Sequence, residues 1–279
     1  MLGRIAVHLN ADAGCQRRID AAITLATIHK AELIGVYPSE GIPQHGYGGT
    51  AMPEELRGML TKRAVSDQEK IHNDFTEQTK AAGITAHWRT PKGPVEEVLA
   101  LHARYCRLLV MSKAEDRYST ASPMAANVPE TVIMAAGRPV LMVPTVGSIA
   151  TIGERILFCW DQKREAARAF MDAAPLLRRC KELVVLVVDE NADQLRTQDI
   201  QGNDFSDLCA ALDYPAPKIM RRSSEGIGVG NVILNTSTDC GSDLIVMGAY
   251  GHSRMRQWIM GGASKTLLSS MSTPVLMSH

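Results

Sequence analysis

Aromatic residues make up only 5% of the 279-residue chain, and charge is balanced at 30 Lys plus Arg against 30 Asp plus Glu. The balance leaves no global field to draw in nucleic acid or a membrane surface. No apolar stretch approaches the ~20 residues of a membrane helix. The opening Met1–Asn10 lacks an apolar core followed by a small-residue cleavage site, so no signal peptide is expected. Six cysteines (15, 106, 159, 180, 209 and 240) form no CxxC pair, and the chain is too large to need stapling. They read as reduced thiols of a cytoplasmic protein. The eight histidines show no HxH, HExxH or Cys/His ligand spacing, so no metal site is expected. Neither GxxxxGK[ST] nor a GxSxG elbow occurs, and no carboxylate cluster is placed to hold magnesium firmly. The chain is therefore not expected to be an enzyme, with slow ATP hydrolysis left open. Few aromatics and 14 methionines point to cores of aliphatic and Met packing.

What is present is a repeat. Cys106-Arg-Leu-Leu-Val-Met-Ser112 matches Ser242-Asp-Leu-Ile-Val-Met-Gly248, and Gly137-Arg-Pro-Val-Leu-Met-Val-Pro144 matches Ser272-Thr-Pro-Val-Leu-Met-Ser278. Arg4–Asn10 likewise matches Arg155–Asp161. A domain-sized period means tandem duplication rather than a solenoid. In each half five short apolar runs alternate with helical patterns, and runs apolar throughout fit strands covered on both faces. The expected fold is α/β: two tandem domains, each an open five-stranded parallel sheet flanked by helices. The turn-rich stretch Pro144–Gly153 sets the boundary, giving domains 1–147 and 148–279. Helices are expected over segments that include Glu54–Ala82, Arg164–Cys180, Val229–Asp239 and Ala263–Met271, and an irregular loop over Pro38–Pro53.

The strand-like run Leu244–Met247 empties into Gly248-Ala-Tyr-Gly251, and Gly261-Gly262 follows after nine residues, opening a helix that carries Ser264. Glycines at a strand exit let a ligand approach the main chain, and a helix start offers unpaired N–H groups to a phosphate. Ligands of doubly wound sheets bind outside the carboxyl ends of the strands, at the switch in strand order. The segment reads as a nucleotide phosphate cradle.

These residues resemble the universal stress protein family in its tandem form, over essentially the whole chain. The likeness rests on G-x-x-G, nine residues, then Gly261-Gly262, on Asp161 at the first strand of the second half, on Asp243–Gly248 and on Ser272-Thr-Pro-Val-Leu276. It implies flavodoxin-like, adenine-nucleotide α-hydrolase-like domains, an adenine nucleotide (ATP, ADP or AMP) in the second domain, with magnesium free to accompany it, and a stress-response role as a nucleotide-dependent binding or signalling module. Carried over by position, Asp161 would sit by the adenine or ribose and Val187 would contact the base. Met247 and Gly248 would line the adenosine end, while Gly251, Gly261, Gly262, Ala263 and Ser264 would wrap the phosphates. Arg254 is a candidate phosphate contact, because guanidinium forks match phosphate oxygens; a solvated loop residue is an equal reading. Gly262 stands where the family usually has Ser or Thr, a loss of one hydrogen bond worth about 0.5–1.5 kcal/mol.

In the first half Ser112, Glu115 and Ala126-Asn127 replace the glycines, and Asn10 replaces the aspartate. Glu115 would set a negative charge against phosphate at about 4 kcal/mol for an effective dielectric of 20. The first domain is expected to be nucleotide-blind and to pair with the second as a pseudo-dimer, with Val140–Val143 and Val275–Met277 as docking edges. A further homodimer stays open, and neither nucleic acid nor membrane is expected as a partner. Three bland readings stand beside these. Asp161 could simply cap its helix. Glu225-Gly-Ile-Gly-Val-Gly230 reads as a turn into a helix more than as a second phosphate loop. His8 reads as an interior histidine. The alternative function is a nucleotide-independent interaction or chaperone-like scaffold. An ATP pyrophosphatase is disfavoured, because Asp161-Gln-Lys-Arg-Glu165 stands where those enzymes carry Ser-Gly-Gly-x-Asp-Ser.

Overall fold

Strands buried on both faces form wherever the sequence runs apolar without alternation, and the centre of each sheet is made of such runs. The structure, a computed structural model, describes residues 1–39, 52–113, 128–147, 149–190, 200, 203–249 and 262–279. It divides into two compact units, Met1–Ala136 and Gly137–His279.

In the first unit β1 (Arg4–His8), β2 (Glu32–Val36), β3 (Ala86–Arg89) and β4 (Leu108–Met111) make a parallel sheet in the order β3-β2-β1-β4. Helices α1 (Cys15–His29), α2 (Glu54–Ala81), α3 (Val95–Ala103) and α4 (Val128–Ala135) accompany it. β4 is buried at every position, whereas β3 is half-buried or exposed throughout, as a less covered strand should be. Over its 28 residues α2 buries only Ile71, Phe75 and Thr79, a stripe at four-residue spacing near its end. Trp88 gathers Tyr37, His72 and Phe75 at centroid distances of 5.6, 4.8 and 6.1 Å.

The second unit begins with β5 (Val140–Met142) and continues with β6 (Arg155–Cys159), α5 (Arg164–Asp172), α6 (Ala174–Leu177), β7 (Glu182–Val188) and α7 (Asp204–Ala211). It is completed by β8 (Lys218–Arg222), α8 (Val229–Asp239), β9 (Leu244–Gly248), α9 (Gly262–Ser270) and β10 (Val275–Ser278). Five strands run parallel in the order β10-β9-β6-β7-β8. β5 adds antiparallel to β10, with Val275 opposite Met142, Leu276 opposite Leu141 and Met277 opposite Val140. That ladder is why β5, given to the first domain by the sequence boundary at 147, groups with the second unit. The sheet switches direction of build-up between β6 and β9, so the ligand crevice of a doubly wound fold falls at their carboxyl ends.

The helix expected unbroken over Arg164–Cys180 divides at Ala173. Pro175 has no N–H to give and disfavours helical geometry at the residue before it, so the chain restarts with Pro175 in the first turn of α6. Short α4 and α7 lie outside the sequence-derived helices; α7 buries only Cys209 fully and sends Phe205 into the aromatic cluster. The few aromatics are concentrated rather than absent from the core. Phe158 lies 5.9, 5.0 and 5.7 Å from Trp160, Phe170 and Phe205, Phe205 lies 5.2 and 5.0 Å from Trp160 and Phe170, and Phe170 meets Tyr214 at 5.4 Å. That cluster holds three of the chain's four phenylalanines.

Entry to the second unit is fixed by one carboxylate at the foot of β9. Asp243 Oδ1 accepts from the N–H groups of Gly153 (3.0 Å) and Arg155 (2.9 Å). Its Oδ2 accepts from the Glu154 N–H (3.0 Å) and the Thr151 hydroxyl (2.5 Å). Among the described residues no helix is long and apolar enough to cross a membrane.

Candidate functional site

Three neighbouring strands of the second unit deliver expected site residues to one end of the sheet. β6 exits through Trp160 and Asp161, β7 carries Val187 near its end, and β9 ends in Met247 and Gly248. The register Phe158 opposite Val246 and Cys159 opposite Leu186 keeps these ends level. Val187 and Met247 are buried, so each can offer a ligand its backbone or one side-chain face.

Asp161 is half exposed and does not cap α5 in the usual way. Its Oδ1 accepts the Lys163 N–H two residues on (3.1 Å), and its Oδ2 pairs with Lys163 Nζ at 3.1 Å. This short turn needs Gln162 in the left-handed region at φ 62°. The Asp161 side chain is 51% exposed. Burial, together with the Asp161 charge, pushes the Cys159 thiol up to about 12.

Gly248 has a packing reason of its own. A Cβ there would lie 2.5 Å from Glu165 C and 2.5 Å from Ala166 N, so the first turn of α5 rests directly on the strand exit. Glycine at this point allows close helix–strand approach, so packing alone constrains the position that the sequence marks for an adenosine site. Glu165 itself is buried beside it. Burial pushes its carboxyl up, but the hydrogen bond from Arg164 Nε (2.5 Å), its own backbone N–H and the charges of Arg164 and His279 outweigh this and leave it lowered. Ser278, opposite Gly248 in the β10 register, is buried with no partner for its Oγ among the described residues. The His279 ring nitrogen Nδ1 lies 3.1 Å from the Ala249 carbonyl oxygen.

At the start of α9 Gly262 is exposed, and a Cβ there would meet nothing within 4 Å among the described residues. Ala263 is half-buried, and Ser264 is buried in the first turn. An open approach with a hydroxyl in the first helical turn suits an anion. Gly251, Arg254 and Gly261 lie outside the described residues, as do Glu115, Ala126 and Asn127 of the first half and most of the Pro38–Pro53 loop. The glycines of Glu225–Gly230 are accounted for locally. Gly226 and Gly228 turn the chain at φ 80° and 81°, and Gly230 lets α8 approach Thr266 of α9, where a Cβ would fall 2.6 Å from the Thr266 Cβ. The adjoining β7–β8 ends are pinned by Asp189, whose carboxylate accepts from the Ser224 N–H (2.8 Å) and hydroxyl (2.5 Å); these two hydrogen bonds lower its pKa. Together the described residues bring a half-exposed carboxylate and two buried strand ends to one end of the sheet. Among those residues no group of three His, Cys, Asp or Glu side chains could hold a metal ion.

The corresponding crevice of the first unit is full. Arg18, on α1, is wholly buried between the ends of β1 and β4. Its Nε donates to the His8 carbonyl (2.7 Å), its Nη1 to both Asp12 oxygens (3.0 and 3.2 Å) and to Ser112 Oγ (2.5 Å), and its Nη2 to Asn10 Oδ1 (2.5 Å). Asn10 Oδ1 also accepts the Asp12 N–H at 3.3 Å. Ser112 and Asn10, expected to spoil this half by crowding an empty cradle, instead serve as acceptors for a cation. The sequence held the signal, since Arg18 lies on the same face of α1 as Cys15, Ile19, Ala22 and Leu25. A charged residue within an apolar helical stripe must find partners inside.

Residues 153–279 match the Universal stress protein family. Among solved structures, all of the chain is similar to 98% of a universal stress protein from Archaeoglobus fulgidus DSM 4304, at 15% identity and a TM-score of 0.74. Almost all (99%) is similar to 92% of a functionally unknown protein from Pseudomonas aeruginosa PAO1, at 14% identity and a TM-score of 0.63. A universal stress protein in complex with cAMP shares 20% identity over 52% of this chain and 98% of its own, with a TM-score of 0.35. No curated protein matches the sequence. At such identities the full-length likenesses speak for the fold, and they agree with two tandem α/β domains.

Proposed function

We propose that the protein is a stress-response module that binds an adenine nucleotide in its second unit and changes its contacts with a partner when it does. One observation carries this reading. The unit that matches the universal stress protein family also gathers Asp161, Val187, Met247 and Gly248 at the carboxyl ends of three adjacent strands, beside the switch in strand order. The nucleotide would lie with its base toward Val187 and its ribose toward Asp161. Its phosphates would lie toward Gly251, Gly261, Gly262, Ala263 and Ser264, with Arg254 within the same loop. The reading includes no catalytic step and places the protein in the cytoplasm, with magnesium arriving only as the nucleotide's companion. Pairing of the two sequence halves as a pseudo-dimer belongs to it as well, supported by the antiparallel ladder between Val140–Met142 and Val275–Met277.

The test is to denature purified protein, chromatograph the released small molecules and titrate ATP by calorimetry. About one adenine nucleotide per chain is expected, and Gly261→Val should abolish binding with the fold intact, because a branched side chain would fill the cradle. Unchanged affinity in that variant would sink the site. The second reading, a nucleotide-independent scaffold, is favoured by one feature, the buried Glu165 carboxylate against the exit of β9. No released nucleotide and no heat of binding would select it.

A further inference from the structure

We infer that the crevice of the first unit is a guanidinium-binding site, occupied in cis by Arg18 as a tethered ligand. It is built as a receptor for that group. Four acceptor groups come from three places: a main-chain carbonyl at the end of β1, an amide oxygen and a carboxylate on the β1–α1 turn, and a hydroxyl just past β4. Four of the five guanidinium N–H groups have an acceptor among the described residues, and the planar fork is what allows one side chain to reach all of them.

Correspondence between the halves shows how the chemistry was inverted. The alignment that pairs Arg4 with Arg155 pairs Arg18 with Ala169, Asp12 with Lys163 and Gly14 with Glu165. The alignment that pairs Cys106 with Ser242 pairs Ser112 with Gly248. In the second unit the glycine is on the strand and the side chain on the helix; in the first the glycine is on the helix side and the side chain on the strand. A Cβ on Gly14 would come within 3.1 Å of both Arg18 Nη1 and Ser112 Oγ, so Gly14 makes the room that the guanidinium and hydroxyl occupy. Acceptors line the first crevice where an anion site would present donors. Asp12 keeps 17% of its side chain exposed, which leaves a way in from solvent once Arg18 is shortened. The inference does not depend on nucleotide binding by the second unit and is tested without nucleotide.

The experiment is thermal denaturation of the full chain carrying Arg18→Ala, with methylguanidinium chloride at tens of millimolar and equal concentrations of methylammonium chloride and sodium chloride as controls. Arg18→Ala alone should lower the midpoint by about 10 °C, since it strands a carboxylate and three further acceptors. Methylguanidinium should recover a concentration-dependent part of that loss, by mass action on the folded state. Methylammonium should not, and the natural protein should gain nothing from either. Recovery no greater than with methylammonium would overturn the assignment. Arg18→Lys provides the decision if the alanine variant yields no folded protein. An ammonium keeps the charge without the fork, so a midpoint several degrees lower is expected, and an unchanged midpoint would overturn the proposal.

Discussion

Gly248 and Glu165 meet backbone to backbone: a methyl group on Gly248 would stand 2.5 Å from the Glu165 carbonyl carbon and 2.9 Å from its Cβ. The neighbour is main chain at the start of a helix, so it has no rotamer by which to retreat. Gly248→Ala is therefore expected to cost about 1–3 kcal/mol of stability, as overpacking does. Urea denaturation measures it, and a natural midpoint would mean that α5 is free to slide off the strand.

Asp161 should separate binding from folding. Its side chain is half exposed and its one backbone contact closes a two-residue turn. Asp161→Ala is expected to change stability by no more than about 0.5 kcal/mol. The same change should weaken adenine-nucleotide binding about tenfold, the loss of one charged hydrogen bond. Calorimetry on the two proteins checks it; equal affinities would remove Asp161 from the site.

Asp243 should be costly to lose. Four donors from Thr151 to Arg155 converge on it, so Asp243→Ala is expected to cost about 3 kcal/mol. Asp243→Asn, which keeps one acceptor oxygen, should cost less. Equal stability of all three proteins in thermal denaturation would show that the segment before β6 is held by other contacts.

Acid should weaken the first unit through His8. Burial, and then the Arg18 charge, hold its pKa well below the ordinary 6.5. The unfolded chain thus takes up a proton that the folded chain refuses. This contribution is complete above pH 6.5 and is lost as pH falls below it, by about 1 kcal/mol on reaching pH 5.5. Urea midpoints at about pH 7.5 and about pH 5.5 for the natural protein and His8→Leu provide the check. The substituted protein should lose less on acidification; identical losses would assign the effect elsewhere.

The thiols should be inert while the protein is folded. Burial pushes Cys106, Cys180 and Cys209 up to about 11, and Cys159 to about 12 with help from Asp161. Alkylation near pH 8 is expected to be at least ~100-fold slower at these four than after denaturation, because the thiolate is the reacting form. Mass spectrometry of labelled peptides reads each site, and rapid native labelling of Cys209 would contradict its burial.

Strands were legible because those of a parallel sheet are covered on both faces. The five short runs expected in each half correspond to the ten strands, β1 to β10. Helix α8 and the turn at Gly226 and Gly228 were legible too, since glycine punctuation is local. Less was legible where chemistry is assembled from distant positions. Arg18 could be seen as a charge on an apolar helix face, but its partners at Asn10, Asp12 and Ser112 meet only when β1 and β4 lie side by side. Asp243 is likewise an ordinary strand-leading aspartate until β6 is placed next to β9. Gly248 was visible as special, but a packing glycine and a ligand-facing glycine look the same in one sequence. Pro175 breaks the helix expected over Arg164–Cys180 although the apolar pattern continues across the break.

The ladder between β5 and β10 bears on how the chain can be cut. Val140–Met142 is the only described strand beside the outer flank of β10, so it shields the backbone groups there. An excised second half that starts at Gly137 would carry this guard with it. One that starts at residue 148 would leave Val275–Ser278 as an open, apolar template for another copy of itself. The repeat is thus visible as a duplication in sequence, but its two halves are not interchangeable as separable parts: the later one borrows its outermost strand from the earlier.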